Sequence, residues 1–173
     1  MQNAIIVHGM PGKDEYYSDF YPSSSNFHWI PWLQKQLIIR DIKADTPEMP
    51  HAYNPKYDIW KKEFERFEIT PETILVGHSC GGGFLVRYLS QHPEIEVGKV
   101  VLVAPWLDAD KELETGFFDF EIDGALFVRT KGITIFHSDN DDKSINQSVA
   151  IMMNKVSGIE LVLFPGYGHF VSD

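Results

Sequence analysis

Three residue types that together perform acyl transfer occur in this chain in a workable order: a serine at 79 between glycines, carboxylates at 139–142 and a histidine at 169. Ser79 lies in Gly77-His78-Ser79-Cys80-Gly81, directly after the apolar run Ile74-Leu75-Val76 and directly before a helix-compatible stretch from Gly82. A chain that passes from strand to helix within two residues strains its apical residue, which is tolerable only where the neighbours lack bulk, hence Gly77 and Gly81. Such a nucleophile elbow holds the hydroxyl at a helix N-terminus, where the dipole and free amides favour developing negative charge. The plain alternative is a glycine-rich loop with a surface serine. A strand before, a helix after and the order Ser, Asp, His favour the chemistry.

In open α/β sheets ligands bind at the carboxyl ends of the strands, so residues just after each strand are the ones to inspect. After the fifth expected strand comes His137-Ser138-Asp139-Asn140-Asp141-Asp142. One of Asp139, Asp141 and Asp142 suffices to hold an imidazole in the right tautomer, leaving the other two as a solvated acidic loop. Asp108, in Ala104-Pro105-Trp106-Leu107-Asp108 after the fourth strand, is the alternative acid. A calcium loop is excluded, because Lys143 stands at a ligand position and Ser144 where glycine is needed.

After the sixth strand, Pro165-Gly166-Tyr167-Gly168-His169-Phe170 offers His169 as general base and then general acid. His28, His51, His78, His92 and His137 read as structural or surface residues, and no H-E-x-x-H metal pattern occurs. After the first strand, His8-Gly9-Met10-Pro11-Gly12 resembles the loop that supplies one oxyanion-hole amide in α/β-hydrolases. By that resemblance the amide is expected from Gly9 or Met10 and the second from Cys80, with a flexible turn as the plain alternative.

These positions require strands to carry them. Short apolar runs at Ala4 to Val7, Ile39 to Ala44, Thr73 to Val76, Lys99 to Ala104, Ile133 to His137 and Glu160 to Phe164 alternate with amphipathic ones. The helices expected are Trp29 to Leu37, Tyr57 to Phe67, Gly82 to Gln91 and Ser144 to Val156. This alternation predicts an α/β fold with a doubly wound, mostly parallel six-stranded sheet and helices on both faces. All strands but the second are apolar enough for burial on both faces. Residues 105–131 carry Trp106, Phe117, Phe118, Phe120 and Phe127 among many acids. They read either as an irregular excursion over the top of the sheet or as a distorted core helix flanked by loops.

With 173 residues, a single domain over 1–173 is expected. A formal net charge of −10 and a pI near 5.1 argue against nucleic acid or an anionic membrane as partner. The lone Cys80 precludes an internal disulfide. The start lacks a basic signal region and no apolar run approaches membrane-spanning length, so the cytoplasm is the expected location.

With these residues assembled, the chain resembles, over nearly its whole length, the small serine hydrolases related to retinoblastoma-binding protein 9 and the bacillar YdeN protein. Beyond the elbow, His28-Trp29 with Trp32-Leu33 resembles the family's H-G-W-x-x-W segment, and Met49-Pro50 with Ile59-Trp60 its M-P and S-I-W pair. Val101-Leu102-Val103-Ala104 matches the strand after the nucleophile helix. The resemblance implies a minimal α/β-hydrolase fold with Ser79, Asp141 and His169 as the triad, and Ser138 falls on the serine of the family's G-S-x-D-D segment. The family's Asp-Asp pair reads Asn140-Asp141, so a register shift onto Asp142 or Asp139 stays open. Relatives continue into a final helix, which implies a chain cut short after Asp173. Residues 66–72 keep neither the leucine nor the cysteine of the human relative's L-x-C-x-E stretch, so a retinoblastoma-type partner is not supported.

The expected activity is cleavage of a small carboxylic ester, or an amide or thioester, through a Ser79 acyl-enzyme with no cofactor and no metal. Aromatics from Tyr16 to Trp32 and from Trp106 to Phe120 line an acyl pocket or belong to the core. The rival expectation is a binding module that keeps the hydrolase fold without useful activity, separable by covalent labelling of Ser79.

Overall fold

The computed structural model describes residues 2–171. Its centre is one sheet of six strands, β1 (Asn3–Val7), β2 (Lys43–Asp45), β3 (Ile74–His78), β4 (Val100–Val103), β5 (Ile133–His137) and β6 (Glu160–Leu163). They run in the order β2-β1-β3-β4-β5-β6 and every pairing is parallel. The helices are α1 (Lys13–Tyr16), α2 (Ile30–Ile38), α3 (Tyr57–Phe64), α4 (Cys80–Gln91) and α5 (Lys143–Lys155).

The register places the chemistry. Val7, the last residue of β1, pairs with Gly77 of β3, and Gly77 pairs with Leu102 of β4. The loop after β1 therefore opens beside the loop after β3, at the point where the strand order reverses direction. At the other edge His137 pairs with Leu163, so the loops after β5 and β6 also emerge side by side.

One face of the sheet is covered by α3, α4 and α5, whose Trp60, Phe64, Phe84, Val149 and Met152 pack on Ile5, Leu75, Leu102 and Ile135. Trp60, Phe64 and Phe84 are fully buried, each contributing on the order of 2–3 kcal/mol relative to exposure. The opposite face carries α2, whose Ile30 meets Ile6 and Val76. Beyond α2, over Val101, Val103, Phe136 and Phe164, that face is an open apolar groove of about 530 Å³.

Two expectations are corrected, and one pair of alternatives is decided. The second strand is only Lys43–Asp45, because α2 runs on to Ile38 and Ile39 caps it, 62% exposed. The sixth strand is not buried on both faces: among the described residues β6 pairs only with β5, and Leu161 and Leu163 are exposed. Residues 105–131 form no core helix and follow the irregular alternative, their start bonded to the Ser79 carbonyl through the amide of Trp106. Their only helical turn is a 3-10 turn at Leu126–Arg129, and they pack along the helix layer. Phe117 inserts against Trp60 with ring centroids 5.0 Å apart. The Arg87 guanidinium holds the carbonyls of Gly116 and Phe117 at 2.7 and 2.6 Å. Arg129 does the same for the segment's end, donating to Leu89 O at 3.0 Å and Asp123 Oδ2 at 2.6 Å.

Candidate active site

Ser79 joins β3 to α4 at φ 51° and ψ −119°, a strained conformation for a residue with a Cβ and one that costs about 1–3 kcal/mol. Three main-chain hydrogen bonds hold it there: its amide donates to Val103 O at 2.9 Å, and its carbonyl accepts from Trp106 N at 3.0 Å and Gly83 N at 3.2 Å. The flanking glycines are needed for close approach. A Cβ on Gly81 would lie 2.4 Å from the carbonyl oxygens of both Val7 and His8, and one on Gly77 would lie 2.6 Å from Gly82 Cα.

His169 stands across from the serine, its Nε2 2.9 Å from Ser79 Oγ. Its Nδ1 lies 3.0 and 3.1 Å from the two carboxylate oxygens of Asp141. A carboxylate only accepts, so Nδ1 carries the proton and Nε2 is left to accept from the serine hydroxyl. The Asp141 side chain is 1% exposed and also receives the amide of Asp142 at 2.7 Å.

The loop after β5 grips the loop after β6 along its length. Asp139 Oδ1 accepts the amide of Gly166 at 2.8 Å, Ser138 Oγ that of Tyr167 at 2.9 Å, and Asn140 Oδ1 that of Gly168 at 2.7 Å. Of the three candidate carboxylates, then, only Asp141 meets the imidazole. Asp139 serves the neighbouring backbone, and Asp142 is the residue before the first turn of α5. Asp108 is engaged elsewhere, its two oxygens accepting the amides of Glu112 and Leu113 at 2.7 and 2.9 Å.

Cys80 is the first residue of α4, so its amide has no carbonyl within the helix to meet. Its side chain is fully buried, and burial, with Asp108 nearby, pushes the thiol well above its ordinary pKa. Gly9 lies against Ser79: a Cβ there would be 3.1 Å from Ser79 Cβ. The loop bearing Gly9 and Met10 is pinned by buried His8, whose Nε2 accepts the amide of Met49 at 2.9 Å while Nδ1–H donates to Gly9 O at 2.7 Å. Burial lowers the pKa of His8 against the opposing pull of Glu48, which keeps it neutral in this role.

A cavity of about 110 Å³ opens at Ser79 and His169, walled by Met10, Pro11, Phe27, His28 and Ile30. Of the two aromatic stretches, only Phe27 lines it. Two histidines that read as structural or surface residues belong to this site. His28 lines the cavity, and His78 both lines it and reaches His169. A signal existed for His78, which adjoins Ser79 in sequence. For His28, 51 residues away, there was none beyond the family segment.

Known proteins resemble this chain in sequence and in fold. The family model described as serine hydrolase matches residues 19–173. YdeN of Bacillus subtilis (strain 168) is 31% identical over 119 residues, which is 63% of this chain and 62% of that protein's length. The crystal structure of the B. subtilis ydeN gene product superposes with a TM-score of 0.77 and 21% identity, covering 99% of this chain and 89% of that one. Est1E from Butyrivibrio proteoclasticus superposes with a TM-score of 0.65 and 14% identity over 99% of this chain and 81% of its own. The sheet, its strand order and the match along most of the sequence lead to one assignment: the chain has an α/β-hydrolase fold and belongs to the serine hydrolase family.

Proposed function

We propose that the chain cleaves small carboxylic esters through a Ser79 acyl-enzyme, with amides and thioesters as chemically related substrates. Ser79 Oγ attacks the acyl carbonyl while His169 Nε2 takes its proton. The oxyanion forms between the amides of Cys80 and of Gly9 or Met10, and its collapse expels the alcohol, which receives the proton from His169. Water, deprotonated by His169, then releases the acid. Asp141 keeps the imidazole in the tautomer that the first step needs and stabilises the imidazolium that forms. These steps use protein groups and water alone.

The observation that carries this reading is the unbroken Asp141–His169–Ser79 hydrogen-bond path, with contacts of 3.0 and 2.9 Å. The cavity of about 110 Å³ supports a small acyl group. Glu15 lines it, and no lysine or arginine among the described residues lines it to pair with an anionic one. A chain with a single cysteine, buried and free, is compatible with a reducing compartment, the cytoplasm being the one proposed.

The test is steady-state hydrolysis of p-nitrophenyl acetate by wild type, Ser79→Ala, His169→Ala and Asp141→Asn. Ser79→Ala and His169→Ala should each lose about 10³-fold or more in kcat, and Asp141→Asn a comparable factor. Full activity in Ser79→Ala would overturn the reading.

A further inference from the structure

His78 closes β3 and precedes the nucleophile, yet its side chain has no part in the steps above. It is 4% exposed and packed among aromatic rings, with Trp29 at 5.7 Å and His169 at 5.1 Å between centroids. Its Nε2 lies 2.9 Å from the main-chain carbonyl oxygen of His169. A carbonyl oxygen only accepts, so Nε2 must carry the proton.

The acid loop fixes the backbone of residues 166–168, and Asp141 fixes the imidazole tip. Between these anchors lies the main chain of His169 itself, and His78 is what ties it to the nucleophile strand. One short, rigid side chain thus spans from the residue next to Ser79 to the residue that must take its proton. We propose that His78 is a positioning residue: through its Nε2–H bond to the His169 carbonyl it sets the distance between His169 Nε2 and Ser79 Oγ.

Two further observations fit. Burial, with His169 beside it, lowers the pKa of His78 to about 3, so it stays neutral and adds no positive charge that would oppose protonation of the base. Phe170, directly after His169, also sits in the left-handed region, where a residue with a Cβ is strained and must be held by its surroundings.

This inference rests on Ser79 and His169 being nucleophile and base, and its test separates the two. The rate of fluorophosphonate labelling is measured for wild type, His78→Phe, His78→Gln and His78→Asn, with melting temperature recorded for each. Glutamine can place an N–H near the position of histidine Nε2, whereas asparagine is too short and phenylalanine has none. The expected result is a labelling rate lowered about tenfold or more in the Phe and Asn variants and restored to within about threefold of wild type by Gln. In p-nitrophenyl acetate hydrolysis the loss should fall on kcat, with KM unchanged. A folded His78→Phe that labels within about twofold of wild type would overturn the inference. Should His78→Phe not fold, equal rates for Gln and Asn would overturn it instead. A wild type that is not labelled at all would remove the nucleophile–base reading, and this inference with it.

Discussion

The amide of Gly168 donates to Asn140 Oδ1 at 2.7 Å, one residue before His169 and one residue before Asp141. Hydrogen bonds to Asp139, Ser138, Asn140 and Asp141 run in step along residues 166–169, so the loop after β5 acts as a template for the loop after β6. Ser138 Oγ in turn donates to Asn140 Oδ1 at 2.7 Å, which aims that oxygen. Asn140→Ala should lower kcat/KM for ester hydrolysis about tenfold, because the base is no longer held in line. Asn140→Asp keeps an acceptor at the same place and should retain most activity. Equal losses in both variants would contradict the template.

Gly81 tests the elbow from behind. Its missing Cβ leaves room for the carbonyl oxygens of Val7 and His8, so Gly81→Ala must push β1 and α4 apart. The expected cost is about 3 kcal/mol in urea unfolding, with loss of serine labelling. Wild-type stability and labelling in this variant would mean that the elbow does not sit against β1 as described.

Stability should fall on the acid side of neutrality, because two buried histidines resist protonation. His78 has its pKa lowered from 6.5 to about 3 by burial and by His169, and that of His8 is lowered by burial. Above pH 6.5 neither the folded nor the unfolded chain binds a proton at His78, and it adds no pH dependence. As pH falls from 6.5 towards 3 the unfolded chain takes a proton that the folded chain refuses, so unfolding becomes progressively easier. The slope is up to about 1.4 kcal/mol per pH unit for each such histidine. Urea midpoints between pH 7 and 5 measure it, and His78→Gln should flatten the slope. An unchanged slope in that variant would contradict the assignment.

Acyl length should matter. The cavity at Ser79, about 110 Å³, is well below the roughly 300–1,000 Å³ of sites that enclose drug-sized ligands. p-Nitrophenyl acetate and butyrate should therefore exceed the octanoate in kcat/KM by about tenfold or more. A preference for octanoate would mean that the acyl chain lies elsewhere, and the apolar groove over Val101 and Phe136 would be the place to look.

Much of this arrangement was legible in the sequence because it depends on local signals. The period of apolar residues located β1, β3, β4, β5 and the cores of α2 to α5 within a few residues, and the glycines around Ser79 announced a turn with no room for a Cβ. The loops were harder. Which of Asp139, Asp141 and Asp142 meets His169 depends on how two loops lie side by side, and no one-dimensional pattern encodes that register. The placement of His28 and His78 was hidden for the same reason: His28 arrives from a distant turn, and the ring of His78 points at a backbone atom 91 residues away. β6 looked doubly buried because Leu161, Val162 and Leu163 are apolar, but apolarity does not say whether a strand lies at an edge. Phe117 looked like part of an irregular cover, yet its partners Tyr57, Trp60 and Phe84 belong to α3 and α4.

The most direct measurement is the intact mass of the protein after reaction with a fluorophosphonate, for wild type beside Ser79→Ala and His169→Ala. The account predicts one adduct per wild-type chain and none on Ser79→Ala, with labelling of His169→Ala lost or slowed by about 10³-fold. Buried Cys80 should remain unmodified throughout. A folded wild type that takes up no adduct, or an adduct that persists in Ser79→Ala, would contradict the central claim that Ser79 is the activated nucleophile.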